Sequence, residues 1–342
     1  MKFGTIPLAH SDGAILAHAV KQGGVILKKG TVLGTAEIAR LAAAGVETVV
    51  AAMLEPGDVD EDTAAFTLAQ RLAGAGVRVE KPFTGRSNLF AEEAGILRLG
   101  RAAIDAVNGV DEAITVATLP AWKAVVAGEM VGTVKIIPFS VPGAILSAAC
   151  STARDGAIAV APFRPKDVTI VSTLLPGLKP SVVEKTLSVM AQRLLAAGAR
   201  IVGDVRVPHQ TAALGEALAA AAPRSDMIIV FGASAITDRL DVIPAAIEVA
   251  GGTIEHFGMP VDPGNLLLVG RLAGMPVIGA PGCARSPREN GFDWVLARLL
   301  ADVPVTRADI QALGVGGLLM EIVSRPQPRD ADQRTLPDSA PL

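Results

Sequence analysis

The chain has 342 residues, a formal net charge of −3, and 50% hydrophobic against 19% charged residues, which excludes a disordered chain and predicts two or three compact domains. Aromatics make up 3% and tyrosine is absent; without stacking platforms or a basic surface, nucleic acid is excluded as a partner. The two cysteines, Cys150 and Cys283, are too few for a disulfide framework or a cysteine zinc site, and fit a reducing compartment. The first residues lack the apolar core of a signal peptide, and the most apolar runs, 143–150 and 157–163, fall short of the roughly 20 residues of a bilayer crossing. A cytoplasmic protein with no membrane partner is expected.

In chain order, a strand-like run at 24–27 and a turn at Lys28-Lys29-Gly30 precede a predicted helix over 35–44. Thr35 is read as its N-cap, and Gly45 stops it before a strand at 46–51. After the turn at Glu55-Pro56-Gly57-Asp58 comes a helix at 63–72, ended by Gly74-Ala75-Gly76. Between 81 and 165 the pattern gives a loop at 82–88, a helix over about 92–107, and strands at 113–118 and 131–137. From 167 the alternation is regular: strands at 168–172, 201–205, 227–231 and 277–278, with helices at 181–197, 211–222, 242–250 and 291–300.

This alternation needs crossover connections, so the expected fold is α/β, a mostly parallel sheet with helices on both faces, preceded by smaller mixed α/β segments. The expected divisions are 1–54, 55–165, 166–303 and 304–325. A proline-rich tail at 326–342 is read as disordered.

In such a sheet, ligands bind beyond the carboxyl ends of the strands, so the loops after Ser172, Phe231 and Ile278 are the places for chemistry. Gly232, Ala233 and Ser234 let a ligand approach the backbone N–H groups, and Asp238 with Asp241 can hold magnesium. Equally, Asp241 can simply cap the following helix. Pro281-Gly282-Cys283 turns before Ser286, and Arg285 and Arg288 can pair with a phosphate. Cys283 reads as a reactive thiol or as a small filler. At Pro263-Gly264-Asn265, the asparagine can donate to a ligand or serve the turn. His10, His18, His209 and His256 lack metal spacing and read as structural or exposed. Neither the Walker loop nor the dinucleotide-binding glycine pattern is present.

At these loops the sequence resembles the molybdopterin-binding domain family, which includes molybdopterin adenylyltransferase and molybdopterin molybdenumtransferase. The stretch from Phe231-Gly232-Ala233-Ser234 to Asp238 is similar to the family's Thr-Gly-Gly-x-Ser-x-Gly-Asp loop. Residues 259–266 are similar to Met-x-Pro-Gly-Lys-Pro, and 279–287 to Gly-x-Pro-Gly-Asn-Pro-x-Ser. The match spans about 166–303. More weakly, 24–50 and 81–88 are similar to segments of the molybdenumtransferase. The run at 314–321 looks like the joint seen where this half precedes a nucleotidyltransferase domain. Departures are Phe231 for Thr, Cys283 for Asn, and Ser172-Thr173-Leu174-Leu175-Pro176 where the family has Ser-Thr-Gly-Asp-Glu.

The resemblance implies a protein that binds molybdopterin, or its nucleotide form, in molybdenum-cofactor biosynthesis. The ligand would lie along Gly232, Ala233, Ser234, Pro263, Gly264, Asn265, Pro281, Gly282, Cys283 and Ser286, with Asp238 as the catalytic or pterin-contacting carboxylate and Asp238 with Asp241 as the magnesium pair. It implies a homodimer, and a cytidylyltransferase or a molybdoenzyme as protein partner. The loss of the acidic pair after Ser172 favours a carrier. The alternatives are an active molybdenumtransferase and a non-catalytic scaffold recognising a molybdoenzyme.

Overall fold

A computed structural model describes residues 1–319; the tail read at 326–342, and the end of the 304–325 segment, lie outside them. The chain divides into two compact units, one made of Met1–Pro165 with Ala196–Gly198 and Ala297–Val303, the other of Lys166–Leu195, Ala199–Leu296 and the residues from Pro304 on.

In the first unit, Lys2–Pro7, Thr48–Met53 and Ile15–Leu16 form an antiparallel sheet. Leu16, Leu33, Leu41 and Val49 make the core beneath it. The helix Thr35–Ala43 is capped by Gly34 instead of Thr35. The Gly34 amide donates to Glu37 Oε2 at 3.2 Å, an arrangement that needs no N-cap side chain.

Further along, Glu61–Leu72 is capped by Asp60, whose carboxylate accepts from the Thr63 amide at 2.9 Å. It buries Leu68 and Leu72 with Leu89, Ile104, Val134 and Ile136. The sheets here are antiparallel: Ile114–Thr118, Met130–Ile136, Arg86–Ala91 and Val77–Val79 in one, and Ala124–Val125, Gly95–Leu99 and Ile158–Pro162 in another. Two expectations fail. The strand Arg86–Ala91 begins inside the predicted loop, and the helix over 92–107 is a strand, Gly95–Leu99, followed by the shorter helix Arg101–Asn108. Gly95 sits so close to its neighbour that a Cβ would lie 2.2 Å from the Ala161 carbonyl oxygen. The apolar run it opens is buried at Gly95, Ile96 and Leu97 in succession, a pattern that periodicity cannot separate from a buried helix.

The second unit is built on a six-stranded sheet. Its strands are β1 (Asp167–Leu174), β2 (Arg200–Pro208), β3 (Met227–Phe231), β4 (Thr253–Phe257), β5 (Leu268–Leu272) and β6 (Met275–Ala280). They lie in the order β2-β1-β3-β6-β5-β4. The first four in that order are parallel, as expected, whereas β5 and β4 are antiparallel additions. A tight hairpin explains them. Leu272 pairs with Met275 across Ala273-Gly274, whose φ values of +51 and +82 suit the right-handed twist of a two-residue turn.

The helices are α1 (Pro180–Leu195), α2 (Thr211–Ala221), α3 (Val242–Val249) and α4 (Gly291–Leu300). Leu214 and Leu218 of α2 and Ile243 and Ile247 of α3 pack with Val171, Ile228 and Val230 on one face of the sheet. The alternate residues Ile229 and Phe231 are equally buried, so the other face is covered too. There, the Arg285 guanidinium lies over the Phe231 ring and donates to Thr186 of α1. No helix among the described residues is long and apolar enough to cross a membrane.

Candidate functional site

Because β2, β1, β3 and β6 are parallel, the residues following them emerge at one edge of the sheet. The antiparallel strands bring a further segment there. Phe257 pairs with Leu268 and Leu268 with Gly279, near the end of β6, so the β4–β5 connection turns at the same edge. Gly232, Ala233 and Ser234, then Pro281, Gly282, Cys283 and Ser286, and also Pro263, Gly264 and Asn265, therefore come from three loops that share one end of the sheet.

Arg285 ties two of these loops together. Its guanidinium stacks 4.9 Å from the Phe231 ring centroid, donates from Nη2 to the Gly232 carbonyl at 3.0 Å, and from Nη1 to Thr186 Oγ1 at 2.8 Å. All these partners are neutral, and burial pulls its pKa below the ordinary arginine value. Glycine is required at 232, where a Cβ would meet the Ser234 carbonyl oxygen at 2.6 Å. On the other side, Arg193 of α1 donates to the carbonyls of Ala284 at 2.7 Å and Ser286 at 2.6 Å and pairs with Asp293. The turn Gly282–Arg285 is thereby held from two directions.

The remaining residues serve their own turns to differing degrees. Pro263 accepts from the Gly291 amide at 2.8 Å, which ties its loop to the start of α4. At Gly264, φ is +143 and a Cβ would lie 3.0 Å from the Gly291 backbone, so the close approach demands glycine. Asn265 is exposed, and its carbonyl accepts from the Met259 amide at 2.9 Å. Cys283 is half-buried, and burial, with the Asp293 and Asp262 carboxylates, pushes its thiol pKa up. That favours the small filler over the reactive thiol.

The two aspartates occupy different positions. Asp241 caps α3, with Oδ1 accepting from the Val242 amide at 2.8 Å and Oδ2 from the Thr237 amide at 3.1 Å. Asp238 is exposed and accepts from the Leu240 amide at 2.7 Å in a local turn. Among the described residues, no group of three or more His, Cys, Asp or Glu side chains is placed to hold a metal ion. With both Asp241 oxygens engaged by the backbone, the pair gives no support to magnesium.

Three residues at this edge have surroundings that spacing along the chain does not give. Thr173, at the end of β1, accepts from the Ala233 amide at 2.9 Å and lies 2.8 Å from His209 Nδ1, and His209 Nε2 lies 3.2 Å from Ser234 Oγ. Ser172 is 1% exposed, and its hydroxyl has no hydrogen-bond partner. As the register partner of Phe231, it belongs to the face on which Arg285 lies. The missing signal was the length of β2, read as ending at 205 when it runs to Pro208 and delivers His209 to the edge.

Residues 168–301 match the family model described as a probable molybdopterin binding domain, and residues 5–53 match one described as a domain of unknown function (DUF8806). No curated protein matches the chain. Among solved structures, a molybdopterin biosynthesis MoeA protein from Pyrococcus horikoshii is 14% identical over 88% of this chain and 75% of that one, with a TM-score of 0.31. A molybdenum cofactor biosynthesis protein from Pyrococcus furiosus is 13% identical over 88% of this chain and 64% of that one, with a TM-score of 0.27. The molybdopterin biosynthesis enzyme MoaB from Thermus thermophilus is 15% identical over 41% of this chain and 98% of that one, with a TM-score of 0.28. Scores of this size carry no argument about shape.

Proposed function

We propose, from the premise that residues 168–301 carry a molybdenum-cofactor-biosynthesis domain of the probable molybdopterin binding family, that this protein binds molybdopterin or its nucleotide form at the carboxyl edge of the six-stranded sheet. The observation that carries the reading is Arg285, a half-buried cation at the strand ends whose hydrogen-bond partners are all neutral. A guanidinium has five N–H donors, so the two spent on Gly232 and Thr186 leave others for an oxyanion. The Ser172 hydroxyl on the same face of the sheet is buried beneath this edge without a partner. A phosphate supplies the negative charge that Arg285 lacks.

The Ala233 amide, already donated to Thr173, is not one of the phosphate donors. Ser234, Arg285 and the turn after Pro281 take that role, and Asp238, exposed at the loop, contacts the pterin. We further propose a carrier that hands its ligand to a nucleotidyltransferase of the cytidylyltransferase kind, because the 172–176 segment has no carboxylate to position a metal-bearing species.

The test is to purify the protein, oxidise it in acid and measure released pterin fluorescence, with the Arg285→Met variant alongside. Pterin should leave with the wild-type protein and be much reduced with the variant. Protein that carries no pterin even when produced in a cofactor-making host contradicts the proposal.

A further inference from the structure

Ser234, His209 and Thr173 are linked in the order of a hydrolytic triad, yet the hydrogen count runs the other way. Thr173 is 1% exposed, and its hydroxyl has two partners, the Ala233 amide at 2.9 Å and His209 Nδ1 at 2.8 Å. An amide can only donate, so Thr173 Oγ1 accepts there. The hydroxyl hydrogen, buried and costly to leave unpaired, has Nδ1 as its acceptor. Nδ1 is then unprotonated, the neutral ring carries its hydrogen on Nε2, and that hydrogen is donated to Ser234 Oγ across 3.2 Å. An Nε2 that already holds a hydrogen cannot take the serine proton, so His209 does not activate Ser234 as a nucleophile.

We propose that Thr173, His209 and Ser234 form a one-way hydrogen-bond relay that locks His209 as its Nε2–H tautomer and turns the exposed Ser234 hydroxyl outward, as a donor to an anionic phosphate oxygen. Each donor in the chain from the Ala233 amide to Ser234 is polarised by the one before it, which strengthens the last donor facing the ligand. His209 and Thr173 are thus positioning residues, reaching the ligand only through Ser234. The identity of the phosphate's bearer rests on the pterin reading; the relay itself does not.

The test uses the full chain labelled with 15N at histidine, without ligand, at a pH where the rings are neutral. His209 should show a pyridine-like Nδ1 and a pyrrole-like Nε2, and Thr173→Val should release the lock and mix the tautomers, whereas Thr173→Ser should keep it. A pyrrole-like Nδ1 in the wild-type protein, or an unchanged tautomer in Thr173→Val, overturns the relay. Titration with inorganic phosphate reads its outward end: Ser234→Ala should lose about tenfold or more in affinity, the size of one hydrogen bond to a charged group. Unchanged phosphate affinity in Ser234→Ala overturns the donor role. Because the tautomer is read without ligand, a locked His209 in a protein that binds no pterin would refute the pterin reading alone.

Discussion

The Arg285 guanidinium lies over Phe231, 4.9 Å from the ring centroid, and places a cation where strand β3 ends. Stacking on an aromatic face and a forked donor set are properties lysine does not share. Arg285→Met should therefore lose about 1–3 kcal/mol of stability through the vacated Gly232 carbonyl and Thr186 hydroxyl, together with most of the anion affinity. Arg285→Lys should keep the charge without restoring binding. Urea unfolding and ligand titration on the same variants check this, and full binding by Arg285→Lys would refute the geometric role.

The aspartates should separate. Asp241 holds two amides at the start of α3, and a lost cap costs about 0.5–2 kcal/mol, so Asp241→Ala should lower the melting temperature with ligand affinity retained. Asp238→Asn should weaken pterin binding with little change in melting. Equal binding by both variants, each less stable, would make both residues structural.

His256 in β4 gives a pH dependence with a definite sign. Burial first, then the Arg307 and Arg239 cations, lowers its pKa in the folded chain from 6.5. The unfolded state therefore binds the proton more readily, and its contribution to stability falls as pH drops through 6.5 toward the folded value. His256→Gln should flatten the stability profile below that pH and leave it unchanged above. A variant whose acid branch is as steep as the wild type's would show that other groups dominate.

Much of the domain that carries the site was legible because its central strands are apolar and two of its helices, α1 and α3, are followed by the glycine stops Gly198 and Gly251. The strand Met227–Phe231 and the helix Gly291–Leu300 occur at the residues the pattern gives. The edge elements were not legible. In β2, Asp204 and Arg206 pair with each other on an alternating, half-exposed surface, so its last residues read as loop and His209 lost its place. β4 is short, flanked by Gly252 and Gly258, and largely half-buried. Ser172 and Thr173 stand out in the sequence for a missing carboxylate; Thr173 matters through a hydroxyl whose partners, His209 and the Ala233 amide, follow two other strands, and Ser172 through a buried hydroxyl with no partner, neither of which spacing along the chain encodes.

Molybdenum insertion should be slight. The segment at 172–176, the end of β1 and the residues after it, offers no carboxylate, and Cys283, its thiol pKa raised by burial, stands where the resembling family has an amide. Purified protein mixed with molybdopterin and molybdate, with and without magnesium and nucleotide, should fail to activate an apo-molybdoenzyme. Robust activation without another insertase would replace the carrier with an active transferase.

The most direct test of the central claim is calorimetric titration of the full chain with molybdopterin, ATP and NAD in parallel. Molybdopterin should bind with clear preference, and Arg285→Met should abolish that preference; tight binding of ATP or NAD with no measurable molybdopterin binding would contradict the account.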